Sequence, residues 1–154
     1  MKHFSSLRNY ILLFILIGTF TSCSKELTDA VNGTGTSSAL EKYFEDNVLN
    51  QNFVVNKATN NGTDLTANYN GYTFKLLKTD YYKGPLQATK GTTTITGSWS
   101  SNSDYSKLVI TLPASPTEFV FLTREWRFTK KVPPQLELAP WGTTDPVVLH
   151  MLRQ

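Results

Sequence analysis

The sequence predicts a small, mainly β domain in which about eight antiparallel strands form a meander barrel behind one N-terminal helix. Three observations support this fold class. Short segments of alternating apolar and polar residues follow one another after Asn50, turn-forming residues separate them, and no long crossover helix lies between them. Closing the meander into a barrel removes the unpaired edges of a long open sheet. A two-sheet sandwich also fits this pattern, and the sequence leaves that alternative open.

The first 22 residues have the organisation of a secretion signal. Lys2 and Arg8 make its beginning positive, and the almost unbroken apolar run over residues 10–17 is too short to span a bilayer comfortably. Small and hydroxylated residues then lead to Ser22 and to Cys23, the only cysteine in the chain. A small residue directly before a cysteine, just after the apolar run, resembles the lipobox of bacterial lipoproteins. We therefore predict that Cys23 is lipidated and becomes the N-terminus.

Lipidation would attach the protein to a membrane outside the cytoplasm. The cysteine thiol takes a diacylglyceryl group and the freed α-amine takes a further acyl chain, and more than one chain makes anchoring stable. Ser24 follows in place of the aspartate that marks inner-membrane retention in enterobacteria, so the outer membrane is the predicted location, on its periplasmic or its surface side. The alternative is an ordinary secreted protein with a chance cysteine at the cleavage site.

A polar linker separates Cys23 from the folded domain. Residues 27–38 are rich in Thr, Ser, Gly and Asn, a composition typical of a flexible tether, and random-coil scaling gives it a reach on the order of 20 Å. We therefore divide the chain into a signal peptide, residues 1–22, a lipidated N-terminus with its tether, residues 23–38, and one β domain, residues 39–154.

Composition and charge limit the class of protein. Hydrophobic residues make up 40% of the chain and charged residues 18%, which excludes an intrinsically disordered chain and a protein with several membrane spans. The formal charge of +3 falls to +1 when Lys2 and Arg8 leave with the signal, and the remaining cations are scattered among acids. We therefore expect no nucleic-acid partner. A single cysteine also excludes an intramolecular disulfide.

One amphipathic helix is predicted at the start of the domain, over about residues 39–49. Ser38 followed by Glu41 has the spacing of a capping box. Apolar residues then recur at helical intervals, at Leu40, Tyr43, Phe44 and Val48. We expect this stripe to cover the sheet, because the acidic residues Glu41, Glu45 and Asp46 would be repelled by an anionic membrane.

The strands are predicted in order from the alternating segments. They cover residues 53–55, 72–76, a segment around Leu86, 92–99, 108–112, 126–129, 135–138 and 147–151. Asn- and Gly-rich turns separate several of them, among them Asn60-Asn61-Gly62, Asn70-Gly71 and Lys83-Gly84-Pro85. Residues 116–122 form either a strand or a short helical turn. Pro146 can lie only at the beginning or the edge of the last strand.

The strand segments resemble those of a known family, the small lipocalin-like lipoproteins of Bacteroidetes. The similarity is carried by residues 70–74, 88–99, 108–110, 118–119, 122, 125–128 and 136–138. It extends from Phe53 to the C-terminus and rests on many weakly specific positions. The resemblance implies a lipocalin-like barrel with a short helix at residues 116–122. It implies no function, because the family has no agreed activity.

Two features depart from the family pattern. A true lipocalin carries Gly-x-Trp in its first strand, whereas Gly97-Ser98-Trp99 lies in the middle of this chain. The resemblance is therefore to the lipocalin-like relatives only. Asp145-Pro146 also interrupts the approach to the last strand, where family members often continue straight.

Residue types that carry catalysis are scarce in the mature chain. His150 is the only histidine left after removal of the signal, and no histidine–cysteine cluster can be assembled for zinc. The aspartates lie in turns rich in Asn, Gly or Ser, where their side chains bond nearby backbone amides. Glu118 and Glu125 are seven residues apart, and nothing in the sequence brings them together. We therefore expect neither an enzyme nor a metal or cofactor site.

Large apolar residues are the remaining candidates for binding. Those expected to point into the barrel are Tyr72, Phe74, Trp99, Ile110, Trp126 and Phe128. In a barrel of about eight strands such residues either fill the interior or hold one small hydrophobic ligand. Tyr81, Tyr82 and Trp141 lie in predicted loops and are candidates to contact a glycan or a protein.

Together these features predict a lipid-anchored extracytoplasmic module of the cell envelope with a binding or structural role. Its predicted partners are the membrane, through the lipid on Cys23, and a small hydrophobic ligand inside the barrel. The alternative is a surface accessory lipoprotein that contacts glycans or a protein partner through its aromatic loops.

Overall fold

The computed structural model describes residues 38–154. The predicted signal, Cys23 and almost all of the predicted tether lie outside the described residues. The domain begins with helix α1 (Ala39–Asn47). Nine strands follow: β1 (Asn52–Asn60), β2 (Thr63–Asp64), β3 (Tyr72–Leu76), β4 (Lys83–Lys90), β5 (Thr93–Ser101), β6 (Lys107–Thr111), β7 (Arg124–Lys130), β8 (Gln135–Pro140) and β9 (Val147–Arg153). Two short helices lie among them: a 3-10 helix (Thr66–Tyr69) before β3 and helix α2 (Phe119–Leu122) before β7.

Eight of these strands form a closed antiparallel barrel, which confirms the predicted fold class. β1 pairs with β3, each strand from β3 to β8 pairs with the next, and β9 returns to pair with β1. That last pairing runs from Phe53 opposite Arg153 to Asn60 opposite Val147. The sheet therefore closes on itself and does not split into the two sheets of a sandwich. β2 adds to the end of β1 through a tight turn at Asn61-Gly62, where both residues have positive φ.

Each end of the barrel is covered by short helical segments. The α1 end carries helix α1 and the loops 77–82, 102–106 and 131–134. The α2 end carries the 3-10 helix, helix α2 and the loop 141–146. Large side chains from these segments are buried against the barrel interior: Phe44, Val48, Leu49 and Tyr105 at the α1 end, and Tyr69, Phe119 and Leu122 at the α2 end.

The boundaries of several elements agree with simple sequence rules. β9 begins at Val147, directly after Pro146, as the missing amide hydrogen of proline requires. Phe119–Leu122 is helical, as the family resemblance implies. Helix α1 ends at Asn47, slightly earlier than predicted, because Leu49 forms a bridge to Leu76 of the barrel wall. The predicted packing of this helix on the sheet is confirmed for Phe44, which is buried.

Gly97 lies where the chain of β6 comes close to β5. A Cβ at this position would lie 2.1 Å from the backbone oxygen of Thr111, so Gly97→Ala forces the two strands apart. We expect this change to lower the free energy of unfolding by about 1–3 kcal/mol, measured by urea denaturation. Ser98→Ala, at the exposed neighbouring position, is the control and is expected to change it by less than about 0.5 kcal/mol. Equal urea midpoints for the two variants would contradict the close approach.

Candidate functional site

The structure brings the six predicted interior residues together inside the barrel. Five of them are buried: Tyr72, Phe74, Trp99, Ile110 and Trp126. Phe128 is partly buried and packs against the same core. The sequence thus predicted correctly that these residues share one interior, and the contacts that each makes there define its role.

Both buried indoles are held by contacts within the domain. The Trp99 ring donates its N–H to the backbone oxygen of Leu77 at 2.7 Å, and the Trp126 ring donates to the oxygen of Leu122 at 2.9 Å. The Trp99 ring also lies 5.9 Å from the ring of Phe44, centroid to centroid. Contacts of this kind make the interior residues the core of the domain in this structure. A ligand inside the barrel would have to displace them.

The three predicted surface aromatics are half-buried and lie at opposite ends of the barrel. In the loop 77–82, the ammonium of Lys78 lies 4.0 Å from the ring centroid of Tyr81, and the Tyr82 hydroxyl donates to the Glu41 carboxylate. Trp141 lies in the loop 141–146, where the ammonium of Lys107 is 4.9 Å from its ring centroid. The structure therefore does not unite these three residues in a single aromatic surface.

A ligand-sized cleft that the sequence did not reveal opens at the α2 end, and we call it the mouth cleft. Its volume is about 410 Å³, and it is lined by Leu65, Asn68, Tyr69, Thr117, Glu118 and Phe121. The 3-10 helix forms one side, and the loop that leads into α2 forms the other. The Tyr69 hydroxyl joins the two sides by donating to the backbone oxygen of Glu118 at 2.8 Å.

The Glu118 carboxylate is the charged acceptor of the mouth cleft. One of its oxygens, Oε1, accepts the hydroxyl of Tyr72 at 3.0 Å. Across the described domain no cation lies within ion-pair distance of this carboxylate, in contrast to Glu125, which pairs with Lys107 on the outer wall at 3.0 Å. Glu118 and Glu125 therefore do not converge. Burial, and then the hydrogen bond to Glu118, raise the pKa of Tyr72, so that its hydroxyl remains a donor at neutral pH.

A guanidinium adds a positive group beside the mouth cleft. Arg124 donates its Nε hydrogen to the backbone oxygen of Phe121 at 2.8 Å. Its guanidinium lies 4.9 Å from the ring centroid of Phe121 and 5.2 Å from that of Trp126. Burial lowers the pKa of Arg124, although a guanidinium stays protonated at any physiological pH. The cleft thus has a carboxylate, an amide from Asn68 and a nearby guanidinium beside an aromatic floor.

His150, the one histidine among residues 38–154, lies on the outer wall of the barrel. Its Nε2 is 3.9 Å from a carboxylate oxygen of Glu137, and its Nδ1 is 3.3 Å from the amide nitrogen of Gln135. Burial lowers the pKa of His150. Between Ser38 and the C-terminus, no group of three or more His, Cys, Asp or Glu side chains is placed to hold a metal ion. In the same region no helix is long and apolar enough to cross a membrane.

Comparison with known proteins identified no similar protein. The chain matches no family model, no curated protein and no solved structure. The class of the protein is therefore defined by its fold, a closed eight-stranded antiparallel barrel of a kind able to bind a small ligand. The resemblance to lipocalin-like lipoproteins stays a prediction from the sequence.

Proposed function

We propose that this protein is a lipid-anchored, non-enzymatic binding module of the cell envelope that takes a small ligand in the mouth cleft. The observation that carries the proposal is the position of Glu118. Its carboxylate lies in a ligand-sized cleft without a cation partner among the described residues, whereas the interior of the barrel is filled with side chains. Ligand sites in proteins combine a concave surface with a few convergent polar groups, and the mouth cleft has both.

The chemistry of the cleft favours a small amphipathic ligand. After accepting the Tyr72 hydroxyl, the Glu118 carboxylate keeps acceptor capacity for a hydroxyl or an ammonium group of a ligand. Leu65 and Phe121 offer apolar contacts on the same cleft. The ligand proposed here therefore differs from the one expected from the sequence. It binds at the end of the barrel and not in the interior, and it carries a polar group.

The anchoring half of the proposal rests on the N-terminal sequence. A lipid on Cys23 would hold the binding domain at the outer membrane, as the apolar run before the cysteine and Ser24 after it suggest. The proposed partners are therefore the membrane and a small molecule. A nucleic acid is not among them, because the mature chain has almost no net charge.

Native mass spectrometry tests the ligand-binding half of the proposal. The mature protein, purified from its own envelope in mild detergent, is expected to carry an adduct of constant mass. Glu118→Gln removes the charge but keeps an oxygen to accept the Tyr72 hydroxyl, so the variant is expected to fold and to lose the adduct. Glu125→Gln, which changes the same residue type on the outer wall, is expected to keep it. An adduct that persists on Glu118→Gln, or a protein without any adduct, would refute binding in the mouth cleft.

A further inference from the structure

We propose that the α1 end of the barrel rests on the bilayer that holds the lipid of Cys23, with Leu40, Tyr43 and Val132 in contact with the membrane interface. This inference rests on the proposed lipid anchoring and adds the orientation of the domain relative to the membrane. It assigns the membrane-facing surface of the domain, and it orients the mouth cleft at the opposite end.

Exposed apolar side chains are concentrated at the α1 end. Within residues 38–154 the exposed large hydrophobic residues are Val132 (59% exposed), Val120 (58%), Leu40 (38%) and Tyr43 (36%). All except Val120 lie at the α1 end. The Tyr43 hydroxyl donates to the backbone oxygen of Lys131 at 2.7 Å, which joins helix α1 to the loop that carries Val132. Leu40 precedes Tyr43 by three residues on the same helix face. We call these three exposed side chains at the α1 end the basal patch.

The sequence suggests that the acidic residues of α1 oppose membrane contact, but in the structure each of them has a partner within the domain. Glu45 pairs with Lys78 at 2.8 Å, and Asp46 pairs with Lys42 at 3.0 Å. Glu41 accepts the hydroxyl of Tyr82. Next to Val132, the Lys131 ammonium donates to the backbone oxygen of Tyr105 at 2.8 Å, and Lys130 pairs with Glu137 at 3.5 Å. The charge at this end is therefore compatible with phospholipid headgroups, which the sequence pattern of α1 alone does not indicate.

The covalent connection explains why a bilayer is the partner of this patch. The chain enters the domain at Ala39, the first residue of α1, so an anchor on Cys23 is attached at the α1 end. The predicted tether over residues 27–38 reaches on the order of 20 Å, similar to the length of a barrel strand of seven to nine residues at about 3.3 Å per residue. The α1 end, with the basal patch, is therefore the end of the domain nearest to the point of attachment, and the mouth cleft is at the far end.

Tryptophan quenching by brominated lipids tests this orientation. The mature lipoprotein is reconstituted into phosphatidylcholine vesicles with or without bromine on the acyl chains. Val132→Trp places a reporter in the basal patch, and Val120→Trp is the matched control, because Val120 has nearly the same exposure at the opposite end. The unsubstituted protein supplies the background from Trp99, Trp126 and Trp141. We expect brominated vesicles to remove about half of the added fluorescence of Val132→Trp, since an interfacial side chain reaches about 5–10 Å into the bilayer. The fluorescence of Val120→Trp is expected not to change.

Flotation of the same vesicles separates the two proposals. Protein that floats with the vesicles while Val132→Trp remains unquenched would refute the basal patch and leave the lipid anchor intact. Equal quenching of both variants would also refute a fixed orientation. Protein that fails to float would overturn the anchoring and, with it, this inference.

Discussion

Trp99→Ala is expected to lower the free energy of unfolding by about 3–5 kcal/mol, a large part of the stability of a domain of this size. The indole is 1% exposed and lies beside the ring of Phe44. Its removal leaves a cavity in the core and takes away the N–H that the Leu77 oxygen accepts. Urea denaturation followed by circular dichroism measures the loss. Trp141→Ala, a change of the same residue type in a loop, is expected to cost less than about 1 kcal/mol.

A second substitution keeps this test informative if Trp99→Ala does not fold. Trp99→Phe retains an aromatic ring and removes the hydrogen bond to Leu77, so we expect an intermediate loss of stability, above about 1 kcal/mol. A variant that keeps its urea midpoint but loses the bound adduct would show that the interior, and not the mouth cleft, is the ligand site.

Cys23→Ala is expected to abolish the lipidated mature form entirely. Without the thiol no diacylglyceryl group can be attached, and the domain has no acyl chains to hold it in a bilayer. Fractionation and mass measurement of the N-terminal peptide report this directly, since the unsubstituted protein should yield an acylated peptide that begins at Cys23. Ser22→Ala keeps a small residue before the cysteine and is expected to be processed normally. Finding Cys23→Ala in the envelope pellet at the usual mature size would refute the anchor.

The barrel wall could be predicted because its signal is local. Leu136 and Leu138 alternate with Gln135 and Glu137, and the structure buries the two leucines inside the barrel. The same period of two placed Trp99 and Trp126 correctly in the interior. Each of these assignments needs only the neighbouring residues, since every wall strand has one face toward the core.

The mouth cleft could not be predicted, because its parts are distant in the sequence. Tyr69 and Glu118 are 49 residues apart, and they meet only after the whole sheet has closed. Neither residue has an unusual neighbour: the first ends a short 3-10 helix, and the second precedes a single helical turn. The Glu118-containing loop also lies in residues 116–122, where strand and helix were equally compatible with the sequence. The exposure of Leu40 and Tyr43 could not be predicted either, because an apolar stripe on a helix does not show how much of it the sheet can cover.

The pairing of β1 with β9 bears on whether neighbouring copies of the domain can exchange strands. Proteins attached to a membrane are concentrated in two dimensions, where an unpaired strand edge can pair with a neighbouring copy. Because β9 hydrogen-bonds to β1 along its length, neither strand offers a free backbone edge at this seam to a neighbouring copy, and the added β2 is only two residues long. On the membrane proposed above, we therefore expect the seam between β1 and β9 to resist strand exchange between neighbouring copies.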